Sequence, residues 1–234
     1  MQNKFQDLSN SIYTGLNASY NMDFKRINME ASTRCNLLCP GCSRTQEMER
    51  GNGLAGGISD MDIEVFKLLV RPEHKLDCIT YNAALSDPIY SGTLFEQLKH
   101  LNTLEKRPMI TMSTNGSGRS EKWWKEFASL LSPTDIIEFA IDGLEDTNHI
   151  YRVNAKWHTI MRGATILRSN FAGLVNWRYI IFEHNCSQVA DANRLAIQLG
   201  FNKFKPLIGD ERTPLHMQLK SKTWEEILDD LSKV

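Results

Sequence analysis

The stretch Lys25-Arg-Ile-Asn-Met-Glu-Ala-Ser32-Thr-Arg-Cys35-Asn-Leu-Leu-Cys39-Pro-Gly-Cys42 decides how the rest of the chain is read. In its first half Ile27, Met29 and Ala31 alternate with Asn28, Glu30 and Ser32, the period-two pattern of a strand with one apolar and one polar face. In its second half three thiols fall within eight residues, spaced four and then three apart. Thiolates are soft ligands suited to iron–sulfur clusters, zinc or copper(I). No fourth cysteine or histidine lies close by, since Cys78 and Cys186 are far along the chain. Three protein ligands leave one metal position open, and an open position is where chemistry happens.

Outward from this loop, short strand patterns alternate with helical ones. The spacing predicts strands over about 25–32, 77–83, 109–114, 135–142, 176–183 and 201–207. Helical patterns occupy 61–70, 91–104, 120–131, 156–169, 187–199 and 222–232. Ser59 and Asp60 offer an N-cap to the first helix, Ser120 caps the third, and Gly200 is a natural residue to follow the fifth. The glycine-rich stretch 47–58 reads as loop, and 144–152 as a short polar segment. Residues 1–23 form a lead-in, partly helical, and 209–234 a closing loop and helix.

Strands alternating with helices argue for βα units and a parallel sheet. A closed or partial barrel competes with an open doubly wound sheet. Buried parallel strands normally read as continuous apolar runs. Here several keep a polar face: Asn28, Glu30 and Ser32; Thr111, Ser113 and Asn115; Glu138 and Asp142; Arg178 or Glu183; Lys205. A polar face repeated around parallel strands lines a cavity, so the expected fold is an α/β, TIM-like partial (β/α)6 barrel over 24–208, open at one side. In βα barrels the active site sits at the C-terminal ends of the strands. The cysteine loop, Asp87, Asn115, Asp142 and Asn185 all lie just past predicted strand ends.

The bulk numbers exclude several classes. The 234 residues carry 27 basic and 28 acidic side chains, without the electrostatic footprint of nucleic-acid binding. No apolar run approaches the roughly 18 residues of a membrane helix. The N-terminus lacks the apolar core of a signal peptide. Five cysteines, clustered and odd in number, fit a reducing cytoplasm rather than a disulfide framework. A structural zinc site remains a competing reading of the thiols; it needs a fourth ligand, such as His74 or a distant cysteine.

The loop Cys35-x3-Cys39-x2-Cys42, following the first strand of six βα units, resembles the radical S-adenosylmethionine (SAM) superfamily. The resemblance covers roughly residues 24–208. It implies a [4Fe–4S] cluster held by Cys35, Cys39 and Cys42, its fourth iron chelated by SAM. Reductive cleavage of SAM then yields a 5′-deoxyadenosyl radical that abstracts hydrogen from a substrate. An electron donor such as flavodoxin or ferredoxin is implied as partner. Asp87-Pro88 resembles a shortened form of the family's Gly-Gly-Glu-Pro segment, which holds the methionine amino group. Ser113-Thr-Asn115-Gly resembles the strand-three ending that reaches the SAM carboxylate or ribose. Asp142-Gly143, with Tyr151-Arg152 following, resembles a run seen in peptide-modifying members, where Arg152 would meet the SAM carboxylate. Gly41 stands where the family often has an aromatic residue, and Ala140 where those members carry serine. The resemblance makes a peptide or protein side chain the first substrate class. A small-molecule synthase of deazapurine type and a glycyl-radical activase are alternatives, and a non-catalytic zinc module is the competitor of another class. Residues 209–234 contain no cysteine, so a single cluster is expected. Among the histidines only His184, at a strand end, is of interest.

Overall fold

The alternating polarity of the strands becomes the two faces of one parallel sheet. The computed structural model describes residues 25–51, 53–54, 57–81, 84–209 and 212–234, so the expected lead-in over 1–23 lies outside the described residues. Six strands run β1 (Arg26–Met29), β2 (Cys78–Tyr81), β3 (Met109–Thr114), β4 (Ile136–Ala140), β5 (Leu174–Ile181) and β6 (Lys203–Ile208). They pair in sequence order, every neighbour parallel, and β6 does not pair back onto β1. This is the expected partial barrel, open at one side. Among the described residues no helix is long and apolar enough to cross a membrane.

The outward face of the sheet is the core. Ile79, Tyr81, Ile110, Ile137, Phe139, Val175, Trp177, Tyr179 and Ile181 are fully buried there. The helices that cover it are α2 (Ile63–Leu69), α3 (Leu94–Leu101), α4 (Glu121–Leu130), α6 (Trp157–Asn170) and α7 (Val189–Gln198). Their apolar stripes supply Phe66, Leu98, Trp124, Phe127, Ala164 and Ala192 to the same cluster. The final helix, α8 (Trp224–Ser232), starts in a capping box of Thr223 and Glu226, packs on α7, and buries Ile227 in that core.

The inward face is polar, as the alternation requires. Register aligns Asn28 with Thr80 and Thr111, Ser113 with Glu138, and Ala140 with Arg178 and Lys205. Thr111 and Thr80 hydroxyls are hydrogen-bonded at 3.0 Å, and Lys205 Nζ lies 2.6 Å from Glu138 Oε2. Glu183 belongs elsewhere: past the end of β5, it accepts the backbone N–H groups of Lys220 and Ser221 and so holds the closing segment.

At the N-terminal end of the strands a buried latch joins β3 to β4. Arg107 donates to both oxygens of Asp135 at 2.8 and 2.7 Å, and Asp135 also accepts the N–H groups of Ile110 and Ser132. Asp135 is therefore committed to the latch and β4 begins one residue later than the apolar pattern suggests.

Two short helices depart from the sequence expectation. Helix α1 (Ser43–Glu49) follows Cys42 directly, where no helix was expected, and takes in Glu47–Glu49 of the stretch read as loop. Helix α5 (Asn148–Tyr151) lies within the short polar segment 144–152, to which the sequence assigns no helix. The cap of α2 is Asp62, whose carboxylate accepts from the N–H groups of Glu64 and Val65, rather than Ser59 or Asp60. Asp60 is engaged instead by the Ser32 hydroxyl at 2.7 Å and by Arg34 at 3.3 Å.

Candidate functional site

The cysteine loop leaves β1 and is tied down from three sides. Glu30, at the end of β1, accepts from the Ala84 N–H and the Ser86 hydroxyl, and so holds the loop that leaves β2. Asp87 N–H donates to the Arg34 carbonyl at 2.8 Å, and Leu38 N–H to the Val153 carbonyl at 3.2 Å. Cys42 N–H closes a turn onto the Cys39 carbonyl at 3.0 Å. Leu37 and Cys39 are buried with Tyr151 and Phe182 in a small apolar cluster against which Cys35 and Cys42 pack.

Gly41 is required at its position by close approach. A Cβ there would lie 2.6 Å from the Tyr151 hydroxyl and 2.9 Å from the Arg212 carbonyl. Tyr151, packed on Phe182 with the rings tilted and their centroids 4.3 Å apart, fills the space a side chain at 41 would enter.

All three cysteines line one cavity of about 400 Å³ at the C-terminal ends of the strands. Asp87, Ser113, Asn115 and Arg152 line the same cavity, so four of the five other residues singled out from the sequence meet there. Asp142 is placed behind them. It is fully buried; Oδ1 accepts the Ile180 N–H at 2.7 Å and Oδ2 accepts Arg152 Nε at 2.5 Å. It thus aims Arg152, whose Nη1 lies 3.9 Å from the Cys39 sulfur.

Asn115 makes the matching contact on the other side. Its Nδ2 donates to Asn36 Oδ1 at 3.0 Å and lies 3.8 Å from the Cys35 sulfur. The turn that presents it depends on Gly116, at φ +69°, packed so closely on Phe139 that a Cβ would meet the ring at 2.5 Å. Asp87 fixes this corner. Its carboxylate accepts from the Ile89 N–H, the Thr114 hydroxyl and the Asn115 N–H, tying the exit of β2 to the exit of β3. Burial pushes the Asp87 carboxyl up to about 6, against those three hydrogen bonds.

Burial also pushes the Cys35 thiol up to about 12, with the nearby Asp87 carboxylate adding to the effect. Cys39 is raised by burial too, while Arg152 pulls it back down. Thiols in such surroundings ionise when a metal takes the thiolate. The three sulfurs therefore suit a soft metal centre, with N–H donors already directed at two of them.

The roles of three contributors are not legible in the sequence. Glu30 is expected only as part of the polar face of the first strand, and neither its hold on Ser86 nor the place of Arg44 has a local signal, since their partners Ser86 and Thr33 are 56 and 11 residues away. Arg44 is buried, lines the cavity, and donates from Nε to the Thr33 carbonyl at 3.1 Å. Tyr151 stands out in the sequence only for its place before Arg152. His184 stacks on Phe182 outside the cavity, and Asn185 is a buried turn residue that donates to the Asp142 and Ile180 carbonyls.

Neither a protein-family model nor a curated protein matches the chain. Solved structures do. The anSMEcpe structure with bound AdoMet is 18% identical with a TM-score of 0.67, the match covering 89% of this chain and 59% of that one. Methylornithine synthase (PylB) is 12% identical with a TM-score of 0.60, covering 92% of this chain and 63% of that one. SuiB from Streptococcus suis, bound to S-adenosylmethionine, is 12% identical with a TM-score of 0.57, covering 90% of this chain and 43% of that one. This chain thus spans less than two thirds of the length of each, and it has the partial-barrel fold of radical SAM enzymes.

Proposed function

We propose that this chain is a radical SAM enzyme, with a [4Fe–4S] cluster on Cys35, Cys39 and Cys42 and SAM beside it in the same cavity. One observation carries this reading: three thiols of a single loop line the polar mouth of a partial barrel together with Arg152, Asn115 and Asp87. Bound there, the cluster and SAM supply reductive cleavage to a carbon radical able to abstract hydrogen.

The residues of this chain bind and orient. Arg152, aimed by Asp142, offers its remaining donors to the SAM carboxylate as a charge-assisted pair. Asp87 uses three of its roughly four acceptor sites within the fold and keeps one for an ammonium group. Ser113 and Asn115 present hydroxyl and amide groups from the end of β3. Leu37, Tyr151 and Phe182 form an apolar wall that limits water around the thiols. An electron donor of flavodoxin or ferredoxin type serves as partner. The run Asp142-Gly143 to Tyr151-Arg152 supports a peptide or protein side chain as substrate, with a small-molecule synthase as the second reading.

Anaerobic reconstitution with iron and sulfide tests this. The expected product is brown, with about four irons per chain, and releases 5′-deoxyadenosine from SAM when reduced with dithionite. Cys39→Ala abolishes both. A colourless protein that retains one zinc overturns the proposal.

A further inference from the structure

Among the described residues, cations outnumber carboxylates on the inward face of β4, β5 and β6. On β4, β5 and β6 the inward positions bring Glu138, Arg178 and Lys205 together, two cations against one carboxylate. Lys205 holds Glu138 closely, at 2.6 Å. Arg178 is left at 3.7 Å, beyond hydrogen-bond reach, and its Nε is buried without a partner. Among the described residues the Arg178 guanidinium has no hydrogen-bond acceptor at all, although it can donate five N–H bonds. A buried donor without a partner destabilises the fold. That deficit is accounted for if a ligand supplies the acceptor.

The other charges in the cavity point the same way. Arg44, Arg152, Arg178 and Arg212 line it; Arg44 donates to the Thr33 carbonyl and Arg152 to Asp142, and Asp87 is the carboxylate among the described lining residues and already accepts three hydrogen bonds. SAM has one carboxylate, enough for one guanidinium. The neighbour of Arg178 in register is Ala140, too small to cover it, while Ile180 and Leu207 add an apolar wall beside it.

We propose that Arg178 is a specificity-determining residue that anchors a carboxylate or phosphate group of the substrate, so that this cavity takes an anionic substrate with an aliphatic portion. The proposal rests on reading the cavity as the substrate chamber of a SAM enzyme. The anion comes either from a free small acid or from an acidic side chain of a peptide.

Calorimetric titration of the anaerobically reconstituted protein, with and without saturating SAM, tests it. The probes are inorganic phosphate, glutarate and a blocked tripeptide with a central glutamate. The expected result is binding of at least one probe that persists with SAM present, weakens about tenfold or more in Arg178→Gln, and is unchanged in Arg194→Gln on the exposed face of α7. Arg178→Lys, which keeps the charge and loses the fork, falls between. Glu138→Gln removes the competing carboxylate and strengthens binding several-fold, a gain that loss of folding cannot mimic. Tighter binding of the tripeptide than of glutarate identifies a peptide source, and the reverse a free acid.

Absence of binding by all probes overturns the proposal, as does equal binding in Arg178→Gln and wild type, or displacement of the probe by SAM. Binding of SAM in the same series keeps the two readings separate. SAM binding without anion binding removes only the role of Arg178, and Arg178-dependent anion binding without SAM binding removes only the SAM assignment.

Discussion

The guanidinium of Arg152 reaches the sulfur of Cys39 from 113 positions along the chain, with Nη1 3.9 Å from Sγ, while its Nε lies 2.5 Å from Oδ2 of buried Asp142. One side chain therefore connects the cysteine loop to the exit of β4. A donor directed at a thiolate sulfur stabilises the more negative, reduced form of an iron–sulfur centre, and hydrogen bonds to sulfur are among the terms that set its potential.

Arg152→Lys keeps a charge and loses the planar fork. On the proposed reading all three thiols remain to hold the cluster, so the reconstituted variant is expected to keep it. Its midpoint potential shifts to a more negative value, and SAM binds about tenfold more weakly, the scale of one lost charge-assisted hydrogen bond. A redox titration followed by electron paramagnetic resonance, together with anaerobic calorimetry, reads both. An unchanged potential and an unchanged Kd remove Arg152 from the site.

At the opposite end of the strands the Arg107–Asp135 latch bears on stability. Asp135 is fully buried, takes two hydrogen bonds from Arg107 and accepts two backbone N–H groups besides. Asp135→Ala leaves a largely buried guanidinium and two amides without their acceptor. Breaking such a pair from one side costs roughly 3–5 kcal/mol. Urea unfolding of the two proteins is expected to show that loss as a lower midpoint at unchanged slope. A difference below about 1 kcal/mol, the range of an exposed pair, contradicts the assignment.

What was legible in the sequence was whatever is encoded locally. Strand β3 matches its expected span, 109–114, because the Asn115-Gly116 turn ends the apolar alternation locally. The Ser120 cap was read because its hydroxyl meets the Trp123 N–H within the same turn. The period-two alternation revealed the cavity, since one polar face on parallel strands has no other use in this fold. Long-range partnerships were not legible. Ser59, Asp60 and Asp62 are all capping types, and only the tertiary contacts of Asp60 with Ser32 and Arg34 decide that Asp62 caps α2. Helix α1 has no apolar periodicity and no side-chain cap to announce it. Asp142 was placed correctly at a strand end. Its partners, Arg152 and Ile180, are ten and 38 residues away, so its role in aiming Arg152 appears only in three dimensions.

Asp87 gives the site a pH dependence whose sign follows from its burial. Its carboxyl is raised from an ordinary 3.8 to about 6 in the folded protein. Between those values the folded state holds a proton that the unfolded chain has released. The contribution of this group to stability is therefore fully present below about pH 4 and is lost as pH rises through 6, amounting to roughly 3 kcal/mol. Unfolding free energies of wild type and Asp87→Asn, compared from pH 4 to 8, are expected to diverge across that window, with wild type losing ground to the variant and the difference level above pH 7. The same ionisation acts on the proposed ligand in the opposite direction. Once the proton leaves, Asp87 is an acceptor on every oxygen site and can take an ammonium as well as its three internal donors. SAM affinity is thus expected to rise with pH through about 6 in wild type and to be flat there in Asp87→Asn. A stability difference that stays level from pH 4 to 8 contradicts the titration, and a SAM affinity equally dependent on pH in both proteins assigns the ammonium to another acceptor.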